Sequence, residues 1–399
     1  MGKISYNKYD ILVMLLLSFL GFGGIGGALQ VTRILAIILL PVLFFKFSIR
    51  YYMRNYFNFF LFFIGYCSFS LLWTPNRAEG IVEIIYFVVH FILFFEIIVF
   101  SYRARNPLDS ISKGWLMAVC MTLVVALWEI ATDNHLPMSV QESGDTMNAG
   151  GMTIYRRFAS VSFGNYNGYV TFLCFSLPFL FYRVIKNRCL FSIVAIILSS
   201  VCILFNASRG GLLSISLMFL IYILFLRKQG GKVYVYSLFL LFLVGSFIFI
   251  QFGSELFEAI TYRAVNNTLY SDAPRFEIWG RVWQGFLSTC GLGSGVGGLQ
   301  DMMRQLSPSG ISIPHNLFLE ILGELGVIIF LIFVLFLIGI FKKAYHVKND
   351  ATRTLLFLSL IPLPIYSIIN SGYIFNTYVF SAFASLVIFS NYEHLKSLR

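Results

Sequence analysis

The stretch "HNLFLEILGELG", residues 315–326, places ionisable side chains at the head of a long apolar run. On a helix, Asn316, Glu320 and Glu324 are spaced i, i+4, i+8 and line one stripe. Ionisable groups within a span normally face the bundle interior or a water-filled cavity. His315 stands at the mouth of this run, where a histidine can accept a proton near neutral pH. The stretch predicts a base at His315, whereas hydrogen bonding between helices explains Glu324 equally well.

Three arginines could bind an anionic group. Arg209 lies in "NASRGGLLS", a very short turn between two apolar runs, and Arg275 and Arg281 lie in "APRFEIWGRVWQGF". A guanidinium is planar and always charged, and it binds phosphate oxygens bidentately. For Arg209 the structural alternative is a snorkelling side chain at a hairpin. For Arg281 it is an exposed helix face paired with Glu277, an alternative that suits Arg275 less well.

The sequence contains no convincing signature of a cofactor or metal site. "GLGSGVGG" holds a G-x-G-x-x-G pattern at residues 293–298, but no strand precedes it, so we interpret it as a flexible turn that returns a loop to the membrane. The six cysteines are scattered and no Cys/His cluster or Walker-type loop occurs. The sequence therefore predicts chemistry without a metal or a cofactor.

The composition is that of a polytopic membrane protein. Of 399 residues, 58% are hydrophobic and 12% are charged, against roughly 25% charged in soluble domains, and the mean hydropathy is +0.81. No cleavage site follows the basic and then apolar N-terminus, so it is read as a retained first span. Windows of about 20 apolar residues predict twelve spans, near 10–29, 33–47, 56–73, 81–100, 114–131, 162–182, 190–206, 211–226, 233–252, 316–340, 354–370 and 374–390.

Lysine and arginine set the orientation of these spans. Of the 29 basic residues, 20 lie in alternate connections or at the termini, which places both termini in the cytoplasm by the positive-inside rule. The net charge of +11 is thereby assigned to topology and not to nucleic-acid binding. The remaining nine basic residues, which are predicted to face outward, are all arginine. Either phosphate recognition or a bias against outward lysine explains this. The nine residues are Arg33, Arg77, Arg156, Arg157, Arg209, Arg263, Arg275, Arg281 and Arg304.

Two outward segments, residues 132–161 and 253–315, are too long to be simple turns. In the second, four aromatic residues recur at helical spacing and predict an amphipathic helix on the outer membrane face. They are Phe276, Trp279, Trp283 and Phe286. We expect function to concentrate in these segments.

The chain resembles the O-antigen polymerase and O-antigen ligase family of bacterial envelope glycosyltransferases. The family's His-Asn motif, with a glycine after nine further residues, is matched by His315, Asn316 and Gly326, and its central region by residues 207–326. Ile329 departs from the small or aromatic residue usual at that position. The resemblance is carried by "SLLWTPN" (70–76), "WEIATDNHLPMS" (128–139), "FGNYNGY" (163–169), "SRGGLL" (208–213) and "HNLFLEILGELG" (315–326).

The resemblance implies an all-α, GT-C-like fold in one integral-membrane domain, 1–399, of the bacterial inner membrane, with the active site facing the periplasm. Family members join glycans carried on undecaprenyl diphosphate to another lipid-linked chain or to a lipid A core sugar. Expected partners are therefore these substrates, membrane lipids, a chain-length regulator and a flippase. His315 is the expected base, oriented by Glu320, and Arg209 and Arg275 neutralise the diphosphate. Further substrate contacts are predicted for Asn316, Glu320, Arg281, Arg157 and Asn165.

Three functions are compatible with these features. The segment "HLPMS…FGNYNGY" looks more like the polymerase and exopolysaccharide branch, so polymerisation of lipid-linked repeat units is the preferred prediction. Ligation of the glycan to lipid A core is the first alternative. A flippase or other transporter is the second, which the lack of a convincing repeat and the loop position of the arginines disfavour. A membrane scaffold explains the composition but neither long outward segment.

Overall fold

The chain folds as a bundle of helices. The computed structural model describes residues 5–23, 30–46, 51–137, 147–149, 152–154, 157–229, 273–306 and 313–397. Two short 3₁₀ helices are Phe19–Phe22 and Tyr373–Phe375. The α-helices are α1 (Lys8–Ser18), α2 (Val31–Lys46), α3 (Tyr51–Ser70), α4 (Arg77–Arg103), α5 (Pro107–Thr132), α6 (Tyr166–Asn187), α7 (Leu190–Phe205), α8 (Arg209–Gln229), α9 (Ala273–Ser288), α10 (Leu299–Leu306), α11 (Leu317–His346), α12 (Asp350–Leu360), α13 (Leu363–Tyr366) and α14 (Thr377–Ser397).

The predicted all-α class is confirmed in the described residues, apart from one small ribbon. Strands β1 (Met147–Ala149) and β2 (Met152–Ile154) pair antiparallel, with Met147 opposite Ile154. They lie in the first long segment, 132–161. Several sequence predictions lie outside the described residues: the span near 233–252, residues 253–272 of the second long segment, and Arg156 and Arg263.

Each predicted span that lies within the described residues coincides, over at least part of its length, with a helix. By length and composition, four helices in the described part of the chain could cross a membrane: α4, α5, α6 and α11. Shorter apolar helices are Val31–Phe45, Leu190–Phe205 and Arg209–Phe225. The total of twelve spans and their orientation stay predictions.

The span predicted at 354–370 is wrong in its second half. Helix α12 ends at Leu360, and the short α13 follows after Pro362. Proline lacks the N–H donor of a continuing helix, and its ring clashes with the carbonyl four residues earlier. Pro362 and Pro364 therefore break the apolar run, and residues 367–372 continue as irregular backbone.

Helix α6 lies at the centre of the bundle. It packs against α5 and α7, while α4 packs against α2 and α14. Residues 168–184 of α6 are all buried, as expected of a helix that is enclosed on every side. Its Phe179 ring stacks on Trp115 of α5, with the ring centroids 5.0 Å apart and the planes inclined by 2°.

The glycine-rich tract 291–298 is held firmly against α11, although the sequence suggested a flexible turn. The Ser294 N–H donates to the Gly323 carbonyl at 2.8 Å, and the Val327 N–H donates to the Gly291 carbonyl at 2.9 Å. Between them Gly326 adopts φ 73° and kinks α11. A Cβ atom on Gly326 would lie 2.4 Å from the Leu292 carbonyl oxygen. The glycine that ends the His-Asn motif is thus required for conformation and for space.

Replacing Gly326 by alanine should destabilise the protein, because the new side chain meets a backbone oxygen at a positive φ. Such strain costs on the order of 1–3 kcal/mol. Gly339→Ala is a matched control in the same helix, since nothing lies within 4 Å of a Cβ there and alanine favours helix. In detergent-solubilised protein we expect a lower unfolding temperature for Gly326→Ala only. Equal unfolding temperatures for the two variants would contradict this account.

Candidate functional site

Four irregular residues, 367–370, bring the predicted site residues together; we call them the junction segment. The Leu317 N–H, two residues after His315, donates to the Ser367 carbonyl at 3.0 Å. The Arg275 Nη1 donates to the Ile368 carbonyl at 3.3 Å. The beginning of α11 and the arginine of α9 therefore meet on adjacent peptide groups.

Two further sequence motifs contact the same segment. A Cβ atom on Gly210, the neighbour of Arg209, would lie 2.9 Å from the Ile369 side chain. The Asn165 Nδ2 lies 3.5 Å from the Asn370 Oδ1, while the Asn165 Oδ1 accepts the Gly168 N–H at 2.7 Å and caps α6. The junction segment thus gathers the "FGNYNGY" and "SRGGLL" stretches beside the arginine and the histidine.

His315 lies half-buried just before α11, with a left-handed φ of 47°. Positive φ is uncommon and strained for residues other than glycine. The Nδ1 of His315 is buried and has no hydrogen-bond partner within the described residues. Burial, and then the charge of Arg275, lower the pKa of His315 below its ordinary value. Both effects favour the neutral imidazole, which is the form that can accept a proton.

The residues around His315 fix its position. Asn316 caps α11, because its Oδ1 accepts the Phe318 N–H at 3.0 Å and the Leu319 N–H at 3.3 Å. On the other side, the Trp279 indole N–H donates to the Pro314 carbonyl at 2.8 Å. Trp279, a member of the predicted aromatic stripe, thus ties α9 to the residue before His315.

The predicted helix over the aromatic stripe is confirmed as α9, but the stripe is not one uniform face. Phe276 and Trp283 are exposed, whereas Phe286 is buried. Ile278 and Val282, four residues apart, form the face that packs against α10. The spacing identified the helix, but its aromatic residues did not identify the buried side.

Arg209 and Arg275 occupy different positions around the junction segment. Arg209 is exposed at the first residue of α8, and a helix N-terminus adds positive potential of its own. Arg275 is half-buried and near enough to His315 for its charge to act on the imidazole. The predicted cations and base are thus gathered around one segment.

The other two predicted arginines have structural partners. Arg281 pairs with Glu277 one turn earlier in α9, which is the pairing that the structural alternative expects. Arg157 places its Nη1 3.4 Å from the Ile130 carbonyl and 3.5 Å from the Ala131 carbonyl, at the end of α5. A role in binding substrate stays a prediction for Arg281 and Arg157, as it does for Asn316 and Asn165.

Glu320 does not orient the histidine, contrary to the sequence expectation. Its Oε1 accepts the Gly372 N–H at 2.7 Å and its Oε2 accepts the Tyr373 N–H at 2.8 Å. Both carboxylate oxygens are therefore used by the turn after the junction segment, and no hydrogen bond joins Glu320 to His315. Glu324, also buried, accepts the Gly297 N–H at 3.0 Å. The prediction that both glutamates face inward is confirmed.

Two residues that the sequence analysis gave no role hold the loop 157–165. The buried Glu129 Oε2 accepts the N–H groups of Ser160 and Val161, each at 2.8 Å. Asn206 exchanges two hydrogen bonds with the backbone of Ala159, at 2.7 and 2.9 Å. Both lie in quoted stretches, "WEIATDNHLPMS" and "NASRGGLLS", but their partners are distant in sequence.

Residues 194–334 match the family model described as O-antigen ligase. No curated protein matches the chain. The matched residues include Arg209, Arg275 and His315, so the match covers all three predicted catalytic residues. It confirms the resemblance to the O-antigen ligase and polymerase family over about a third of the chain. Together with the apolar helices, it indicates a membrane protein with an O-antigen ligase or polymerase type of function.

Glu129→Ala should loosen the loop that carries Asn165, because it leaves the Ser160 and Val161 N–H groups buried without acceptors. Each such group costs about 1–3 kcal/mol. Glu129→Gln is the control, since its amide oxygen can accept both N–H groups. We expect faster amide hydrogen exchange at Ser160 and Val161 in Glu129→Ala than in wild type or Glu129→Gln. Unchanged exchange in the alanine variant would show that Glu129 does not hold the loop.

Proposed function

We propose that this chain is an inverting membrane glycosyltransferase that polymerises glycan repeat units carried on undecaprenyl diphosphate at the periplasmic face of the inner membrane. The observation that carries the proposal is the meeting of Arg275 and a neutral His315 at the junction segment. Ligation to a lipid A core sugar is the alternative, and the family match supports it equally.

The two arginines are assigned to the leaving group. A lipid diphosphate already departs readily, so it needs its growing negative charge stabilised more than it needs a general acid. Arg209 and Arg275 would supply oriented cations at a site partly shielded from water, where such stabilisation is strong. The exposed Phe276 and Trp283 of α9 suit a helix at the membrane surface, beside the lipid chain.

His315 is assigned to the acceptor. Its neutral imidazole removes the proton of the attacking sugar hydroxyl. The hydroxyl oxygen forms a bond to the anomeric carbon while the bond from that carbon to the diphosphate oxygen breaks. The electron pair leaves with the diphosphate, and the proton stays on His315. This direct displacement inverts the anomeric centre, and the proposal assigns no step to a metal or nucleotide.

His315→Ala and Arg275→Ala should abolish transfer while leaving the protein folded and inserted. Arg209→Lys should also fail if the guanidinium binds phosphate bidentately. The matched control is Arg353→Ala, since Arg353 is an arginine paired with Asp350 at the beginning of α12 and is among the basic residues predicted to be cytoplasmic. Product banding is measured with reconstituted protein of equal unfolding temperature. Normal banding in His315→Ala or Arg275→Ala overturns the assignment, and wild-type activity in Arg209→Lys favours the snorkelling alternative.

The same reconstituted protein separates the candidate functions. It is supplied first with lipid-linked repeat units alone and then with lipid A core as well. A ladder of products from the repeat units alone supports a polymerase. Reaction only after addition of lipid A core supports a ligase. Movement of lipid-linked units across vesicles without any new glycosidic bond supports a transporter.

The pH profile of transfer tests His315 as the base. Because its pKa lies below the ordinary value of about 6.5, the neutral form persists as the pH falls through that value. We expect the midpoint of the acidic decline in kcat/KM to lie below pH 6.5. In Arg275→Gln the residual activity should decline at a higher pH, because a nearby positive charge has been removed. A wild-type midpoint above pH 6.5 would contradict the assignment.

A further inference from the structure

An acidic cavity of about 320 Å³ lies next to the proposed base. It is enclosed by the first turns of α4, by α10, by the beginning of α11 and by the turn at 371–375. Ile313 and Pro314, the two residues before His315, form part of its wall. Its ionisable lining residues are Glu79, Glu83, Asp301, Arg304, Glu320 and Glu324.

The lining of this cavity differs in residue type from the arginine region. Arg304 is its one lining cation in the described residues, and its Nη1 lies 3.3 Å from Asp301. Neither Arg209 nor Arg275 lines it. Within the described residues, its lining therefore offers a diphosphate no cation other than the paired Arg304, whereas diphosphates are bound mainly by such cations. Carboxylate oxygens accept hydrogen bonds, and the amides of Asn76 and Gln300 in the same wall can both donate and accept.

Glu83 provides the cavity with an oxygen atom that can accept a hydrogen bond. Its side chain is buried, with the residue 7% exposed, and its Oε2 has no hydrogen-bond partner among the described residues. A buried polar atom without a partner costs free energy and calls for an explanation. Glu320 and Glu324 line the same cavity but accept backbone N–H groups. Within the described residues, no group of acidic, histidine and cysteine side chains could hold a metal ion.

We propose that this cavity binds the terminal sugar of the acceptor glycan, with Glu83 accepting a hydrogen bond from a sugar hydroxyl. The inference rests on the proposed function and adds to it a separate acceptor site. Ligand sites typically have volumes of about 300–1,000 Å³, and this cavity lies at the lower end, which suits one or two sugar rings. Pro314 belongs to the cavity wall and His315 follows it directly in the chain, so the base lies beside the wall of the cavity.

The test compares two buried glutamates of the same helix. Glu96 also lies in α4, and neither of its carboxylate oxygens has a partner in the described residues, but it does not line the cavity. We expect Glu83→Ala to raise the acceptor KM at least tenfold with little change in the donor KM, and Glu96→Ala to leave both unchanged. Inhibition by inorganic pyrophosphate, which probes the arginines, should be the same in Glu83→Ala and wild type.

A second variant keeps the test decisive if Glu83→Ala fails to fold. Gln300 lies exposed in the cavity wall, and Gln300→Ala should raise the acceptor KM three- to tenfold. An unchanged acceptor KM in the folded variants, or an equal rise in donor and acceptor KM, overturns the acceptor site.

A binding measurement separates this inference from the proposed function. The probe is the oligosaccharide released from the cell's own lipid-linked repeat units, titrated into wild-type, Glu83→Ala and Glu96→Ala protein. Binding that is lost only in Glu83→Ala supports the sugar site, even if no transfer is detected. If the wild-type protein is active in transfer but Glu83→Ala binds the probe as well as wild type does, the sugar site is overturned. The glycosyltransferase proposal then still stands.

Discussion

The site depends on one constraint: irregular backbone inside an apolar bundle must find hydrogen-bond partners. Unpaired buried peptide groups are costly, and more so where lipid replaces water. In the junction segment the Ser367 carbonyl accepts the Leu317 N–H, the Ile368 carbonyl accepts from Arg275, and the Asn370 N–H donates to the Tyr373 hydroxyl. The interactions that satisfy the segment are the ones that place His315 and Arg275 together.

The buried glutamates meet the same constraint elsewhere. Glu129 accepts two N–H groups of the loop 157–165, Glu320 accepts two of the turn at 372–373, and Glu324 accepts one of the glycine-rich tract. An ionisable residue inside a span suggests function by default, but these three act as acceptors for irregular backbone. Glu83 differs because one of its oxygens is left without a partner and faces a cavity.

The sequence predicts what local periodicity controls and misses what long-range pairing controls. Helix α9 and the Arg281–Glu277 pair follow from spacing within one helix, and both are present. The junction segment was placed inside a span because it continues an apolar run, although Pro362 and Pro364 mark the break. The partners of Glu320 lie more than fifty residues away in the chain, and no local pattern identifies them.

Arg275 serves two electrostatic requirements at once in the proposed reaction. A bound diphosphate would raise the pKa of a neighbouring histidine, because an anion favours the protonated imidazole. A protonated His315 could not accept the hydroxyl proton. The positive charge of Arg275 and the burial of the imidazole both lower that pKa, and so oppose the effect of the substrate. The same guanidinium that attracts the donor thus helps to keep the base neutral when the donor is bound.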